Sequence, residues 1–428
     1  MMLVQDLNLE QDVIPIFNYT NSTQAELALR DMLSASGMSL DAIQERQHIC
    51  RGYIQNWEVL ENFSYPTLYQ RETYSFLTDI ANQRIDLGES TIKTRLRLQL
   101  SEGERSQRRS QLVQMILFLD RIYGRYLEQM KLQYFPESYR RDLKIANQFL
   151  QKLRLDYFAH IINEDKFSVA RMVELMQVLA TLDSSEIDAF WEFFFRFEAY
   201  HSIAKAIKKH QFTFPEFSDS KFQINGFYHP LVEEPVKNSI QVMPGENTVL
   251  LTGPNMSGKS TLLKSVGLCT YLAHIGLAVP AQHCVLPHYD VVAISINVKD
   301  DLSSGYSHFM AEIQNLKRVL QLASEGKKCF AMFDELFKGT NIDDAQEITL
   351  STVNRLGKFT GSLFFISTHL LHLEEQIDNS EDHIKKCFIE CRLEEGIPHF
   401  TYRLREGWST VKIGKILFEA EGVSKLLE

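Results

Sequence analysis

The chain has 428 residues, 44 % of them hydrophobic and 23 % charged, an ordinary globular composition with room for roughly two or three domains. Its formal net charge of −10 argues against a uniformly basic nucleic-acid binder. No stretch approaches the roughly 18 uninterrupted apolar residues of a membrane span, and the opening MMLVQDLNLEQD is not a basic region followed by an apolar one, so a cytoplasmic protein without a membrane partner is expected.

The first 215 or so residues read as helical. Leu112, Ile116, Leu119, Tyr123, Tyr126 and Met130 recur at three and four residues, one apolar stripe on a helix. Asp183 with Ser184 and Ser185 marks a helix start, and the aromatic run Trp191 to Phe197 reads as bundle core. Between Lys93 and Arg154 there are 14 Lys/Arg and 6 Asp/Glu, a local +8 that leaves −18 for the remainder. Such asymmetry fits either an anionic partner or the solvated face of long helices.

Around Pro215 to Ser220 the texture changes. Short β-rich runs then alternate with helical segments: TVLLT, CFAMFDE and SLFFIST read as buried strands, and CFIECRLE and HFTYRLRE as a hairpin turning at Glu395–Gly396. The expected architecture is α/β: an all-α domain over 1–218, then an α/β domain with an antiparallel annex over 219–428. The six cysteines lack zinc spacing and are expected to be free and mostly buried, and HCVLPH (283–288) is expected to serve loop and core.

Chemistry concentrates in the second half. Gly253-Pro254-Asn255-Met256-Ser257-Gly258-Lys259-Ser260, followed by Thr261, fits G-x-x-x-x-G-K-[ST] after an apolar strand and before a helix. Its backbone N–H groups suit phosphates, Lys259 the β- and γ-phosphates, and Ser260 a Mg²⁺ ion. Asp334, ending the next apolar strand, is the second candidate Mg²⁺ ligand, and Glu335 can orient and polarise an attacking water. An adjacent carboxylate pair there favours hydrolysis over transfer to a bound acceptor. His369, just beyond FFIST, can hydrogen-bond the γ-phosphate or that water. The hydroxyl-rich DDLSSGYSHFMAEI (300–313) precedes a helical run from Phe309, a second anion site that suggests a nucleotide shared between two subunits.

These pieces, in this order, resemble the MutS family of DNA mismatch-repair ATPases, which is related to ABC-type ATPases. TGPNMSGKST is similar to the family's phosphate loop, DDLSSGYSHFMAEI to its signature segment, FDELFKGTN to its Asp–Glu strand, and STHLLHL to its histidine switch. FTYRLREGWSTVKIGKILFEAEGV is similar to its closing segment. Upstream, FNYTNSTQAELALRDML and LDAIQERQHI resemble the start of its helical core, or lever, and FYHPLVE the entry to its ATPase domain.

The resemblance implies an ABC-type ATPase domain, ATP as substrate with Mg²⁺, and a homodimer with two composite sites. In each site Asn255 meets the γ-phosphate or the water, and Ser307 acts on the partner's ATP. It also implies DNA binding in mismatch repair or related DNA processing. Arg108, Arg109, Arg140 and Arg141 of the basic region are the candidate contacts. There is no room before the lever for the family's mismatch-reading and connector domains, so a short form with lever and ATPase domains is expected. The alternative is an ATP-driven module that binds a protein partner without touching DNA.

Overall fold

The computed structural model describes residues 1–85, 87, 90–296, 308–337, 340–377, 382–394, 397–409, 411, 413–420 and 426. The chain divides into two compact units, one of Phe17–Leu33 with His48–Lys208, the other of Met1–Ile16, Ser34–Gln47 and Lys209–Glu428.

The first unit is helical. Its helices include Thr67–Ala81, Glu102–Ile122, Glu137–Lys152 and most of Ser184–His210. Leu112, Ile116 and Leu119 are buried as the stripe requires. A wider π turn, Tyr123–Leu127, then shifts the register, leaving Tyr123 half-buried while Tyr126 and Met130 stay in the core. Asp183 starts the long helix reciprocally. Its carboxylate accepts the Ser185 N–H at 3.1 Å, and the Asp183 N–H reaches Glu186 at 3.3 Å. Trp191, Phe194 and Phe197 are buried, with Trp191 stacked on Phe118, so the aromatic run is core. Glu198, wholly buried in the same helix, is not left bare. It accepts from the Ser22 hydroxyl at 3.1 Å, the Tyr65 hydroxyl at 2.6 Å and the Asn21 N–H.

The second unit is built on strands β1 (Met2–Leu3), β2 (Glu216–Phe217), β3 (Phe222–Phe227), β4 (Asn238–Val242), β5 (Thr248–Thr252) and β6 (His283–Leu286). It continues with β7 (Val291–Ser295), β8 (Cys329–Phe333), β9 (Leu363–Ser367), β10 (Ile384–Glu394) and β11 (Ile397–Glu406). Among the described residues the main sheet runs β1-β7-β8-β9-β5-β10-β11, parallel throughout except for the antiparallel pair β10–β11. The turn expected at Glu395–Gly396 lies outside the described residues. A smaller sheet, β2-β6-β3-β4, stands beside it; its strands are short and partly polar, and the sequence did not announce them.

β5, β8 and β9 are buried along their whole length, which is why they read as continuous apolar runs. On one face Leu250, Phe333, Phe364 and Ile366 form a core with Leu316 and Val319 of the helix His308–Ser324 and Val353 of Ile342–Arg355. The helix Lys259–His274 packs closely on the sheet. A Cβ at Gly267 would come within 2.9 Å of Ile294 Cδ1 and 3.1 Å of Met332 Sδ. All six cysteines are buried and free. His274 is buried: its Nε2 accepts the Tyr289 N–H at 2.9 Å, so Nδ1 carries the proton and donates to the Thr270 carbonyl at 2.7 Å. Within HCVLPH (283–288), Cys284, Val285 and Leu286 are buried and His288 is bonded to the Met38 carbonyl, so that stretch serves loop and core.

Candidate active site

The strand order β8-β9-β5 places three carboxyl ends side by side, the position where open α/β sheets gather ligands. β5 runs into the glycine loop, β8 into Asp334 and Glu335, and β9 into Thr368 and His369.

In the loop, Gly253 and Gly258 take φ of +150° and +94°, and Met256 +66°. Gly258 is required twice, by its backbone angle and by Tyr402, whose ring would lie 3.2 Å from an added Cβ. The helix Lys259–His274 begins directly after it, aiming unpaired N–H groups into the loop. Asn255 and Met256 are exposed at the tip, whereas Ser257 and Lys259 are buried. Lys259 Nζ donates to the Gly253 carbonyl at 2.9 Å and the Pro254 carbonyl at 3.1 Å, and lies 3.9 Å from Glu335 Oε1. Burial pulls its pKa down, against the opposing pull of Glu335 and Asp334.

Ser260 Oγ donates to Asp334 Oδ2 at 2.5 Å. Ser367 Oγ donates to the other oxygen, Oδ1, and accepts the Glu335 N–H at 2.9 Å. Glu335 holds φ +53° and Phe337 φ +66°, left-handed backbone that non-glycine residues rarely take. The structure therefore brings Lys259, Ser260, Asp334 and Glu335 into direct contact. His369 is exposed beyond β9, and among the described residues neither it nor Asn255 hydrogen-bonds to that group. Ser307 lies outside the described residues, as does Gly305.

Beside the loop opens a cavity of about 400 Å³, lined by Tyr228, His229, Val236, Thr261 and Tyr402 among others. Tyr402 is held at φ +56°, its carbonyl accepting from Asn238 Nδ2 at 3.0 Å. Neither Tyr402 nor Ser367 is singled out by sequence reasoning. The signals were faint: one aromatic inside HFTYRLRE, and one hydroxyl closing FFIST.

The four arginines divide in the helical unit. Arg109 pairs with Asp165 at 3.1 Å, and Arg108 bonds Gln111 at 3.0 Å with its guanidinium 5.4 Å from the Phe76 ring centre. Arg140 and Arg141 are exposed on Glu137–Lys152.

A parallel sheet with a glycine loop after one strand and a carboxylate pair after another, one strand away, defines the P-loop nucleotide-binding class. The family model for MutS domain V matches residues 249–424. The chain is 30 % identical over 265 residues to a DNA mismatch repair protein MutS of Bacillus licheniformis, covering 60 % of this chain and 28 % of that one. It is 27 % identical over 330 residues to a DNA mismatch repair protein MutS of Thermotoga neapolitana, covering 71 % and 39 %. These matches support a MutS-family protein, through the family's domain V. It spans well under half the length of these relatives. No helix among the described residues is long and apolar enough to cross a membrane.

Proposed function

We propose that this chain is an ATP hydrolase whose ATPase domains pair as a homodimer and couple ATP turnover to DNA binding, in mismatch repair or related DNA processing. The division into a helical core or lever domain, 1–218, and an ABC-type ATPase domain, 219–428, is part of this reading. The observation that carries it is the contact group Lys259–Glu335 and Ser260–Asp334, formed across β9 from the ends of β5 and β8.

In this reading the loop Gly253 to Thr261 cradles the phosphates with its backbone N–H groups, Pro254 having none, and the buried Lys259 ammonium turns to the β- and γ-oxygens. The purine occupies the cavity beside Tyr402 and Val236. Ser260 Oγ and Asp334 Oδ2 are adjacent hard oxygens, the donor chemistry that Mg²⁺ takes. The ion would neutralise charge between the β- and γ-phosphates. Glu335 orients the water, with His369 and Asn255 at the γ-phosphate edge, and Ser307 of each subunit completes the partner's site. Catalysis of this kind is positioning and electrostatics, so pairing of the domains is the step that can drive the helices' grip on DNA.

A second reading is a module that uses ATP to bind a protein partner without touching DNA. It draws on the partial engagement of Arg108, half-buried against Phe76 and bonded to Gln111, which leaves that side chain less available to a phosphate.

The test is Glu335→Gln. Phosphate release should fall by about 10²–10⁴-fold. Nucleotide binding should persist, and light scattering with ATP should show a doubled mass. Undiminished phosphate release would remove Glu335 from its role, and an unchanged mass would remove the dimer.

A further inference from the structure

Ser367 closes β9 and is fully buried between the ends of β8 and β5: Phe333 pairs with Ile366, and Leu251 with Ser367. A backbone N–H can only donate, so Ser367 Oγ is the acceptor toward Glu335. Its single hydrogen then goes to Asp334 Oδ1, an acceptor when ionised. Asp334 is thus gripped by two hydroxyls, Ser367 on one oxygen and Ser260 on the other. The same Ser367 oxygen fixes the peptide that enters Glu335, whose φ of +53° needs such support.

We infer that Ser367 is a positioning residue for both acids, setting the carboxylate plane of Asp334 toward Ser260 and the backbone of Glu335 toward the attacking water. This rests on the ATPase reading above. Among the described residues the Ser367 hydroxyl bonds only to the two acids, and Ser367 does not line the cavity beside the loop, so its effect is expected to run through those acids. An alanine would keep the strand and its burial while removing one partner from each acid. The alternative, that the hydroxyl merely satisfies a strand end, predicts a change in stability and none in metal dependence.

The experiment compares wild type, Ser367→Ala and Ser367→Thr in the full chain, with Glu335→Gln as control. Fluorescent-ATP affinity is titrated against Mg²⁺ and repeated in EDTA, and steady-state hydrolysis is followed alongside. For Ser367→Ala the half-saturating Mg²⁺ for nucleotide binding should rise, and kcat should fall, each on the order of tenfold. Affinity in EDTA should be unchanged, and Ser367→Thr, which keeps the hydroxyl, should restore both values. Equal Mg²⁺ dependence and equal kcat in Ser367→Ala overturn the inference while leaving the ATPase reading intact. If wild type neither binds nor hydrolyses ATP, the ATPase reading falls, and the inference with it. Should Ser367→Ala fail to fold, Ser367→Cys, nearly isosteric with a weaker donor, must show the same raised Mg²⁺ requirement; wild-type behaviour there also overturns it.

Discussion

The carboxylate of Glu312 accepts the backbone N–H of Phe337 at 2.8 Å, joining the helix His308–Ser324 to the loop that leaves β8. Glu312 is buried, and Phe337 sits at φ +66° two residues past Glu335. The helix thereby holds the backbone that presents the acid. Removing the acceptor by Glu312→Ala leaves a buried N–H unsatisfied and should cost about 1–3 kcal/mol in denaturant unfolding. Glu312→Gln keeps an acceptor oxygen and should cost less; equal losses would show that charge, not the bond to Phe337, is what matters.

Lys259→Ala should weaken fluorescent-nucleotide binding by about thirtyfold or more, through loss of charge-assisted bonds to the phosphates. The loop itself also loses the ammonium that ties the Gly253 and Pro254 carbonyls together. Wild-type affinity in Lys259→Ala would put the nucleotide elsewhere.

Acid should destabilise both units. Burial pulls His201 in the helical unit and His274 in the sheet unit from 6.5 down to about 4. The unfolded chain therefore takes up protons that the folded one refuses. The stability these groups contribute is present above pH 6.5, declines between pH 6.5 and 4, and changes no further below. Each histidine can account for at most ~3 kcal/mol of that loss. Glu198, raised by burial, works in the opposite direction as its carboxylate protonates. Urea unfolding at pH 7.5, 6 and 5 in a Glu198→Gln background checks the slope; constant stability there would contradict the burial of both imidazoles.

Reversing Arg140 and Arg141 to Glu should weaken duplex-DNA binding and reduce the slope of log affinity against log salt by about 2. Both side chains are exposed on one helix, Glu137–Lys152. Unchanged binding and slope in the double reversal would take this surface out of the DNA reading.

The two units differ in how far their sequence could be read. The helical core was legible because periodicity is local. Leu112, Ile116 and Leu119 lie within two turns of one another, and the aromatic run packs as its spacing requires. The π turn at Tyr123–Leu127 was not, because one inserted residue leaves no trace in an apolar pattern. The small sheet was missed for a similar reason, its strands being two to six residues long and partly polar.

The sequence by itself determined the glycine loop and the Asp–Glu strand end, because each is a contiguous run whose strand, turn and helix signals sit within a few residues. It could not say which strand lies between β8 and β5, since strand order is settled by packing among segments far apart in the chain. That order brings Ser367 to Asp334 and Glu335, over 30 positions away. Folding likewise sets Tyr402 above Gly258 and pairs Met2 and Leu3 with β7, nearly 300 positions on. Folding also brought Arg109 beside Asp165, 56 positions on, because a cation's partner depends on which surface turns toward it.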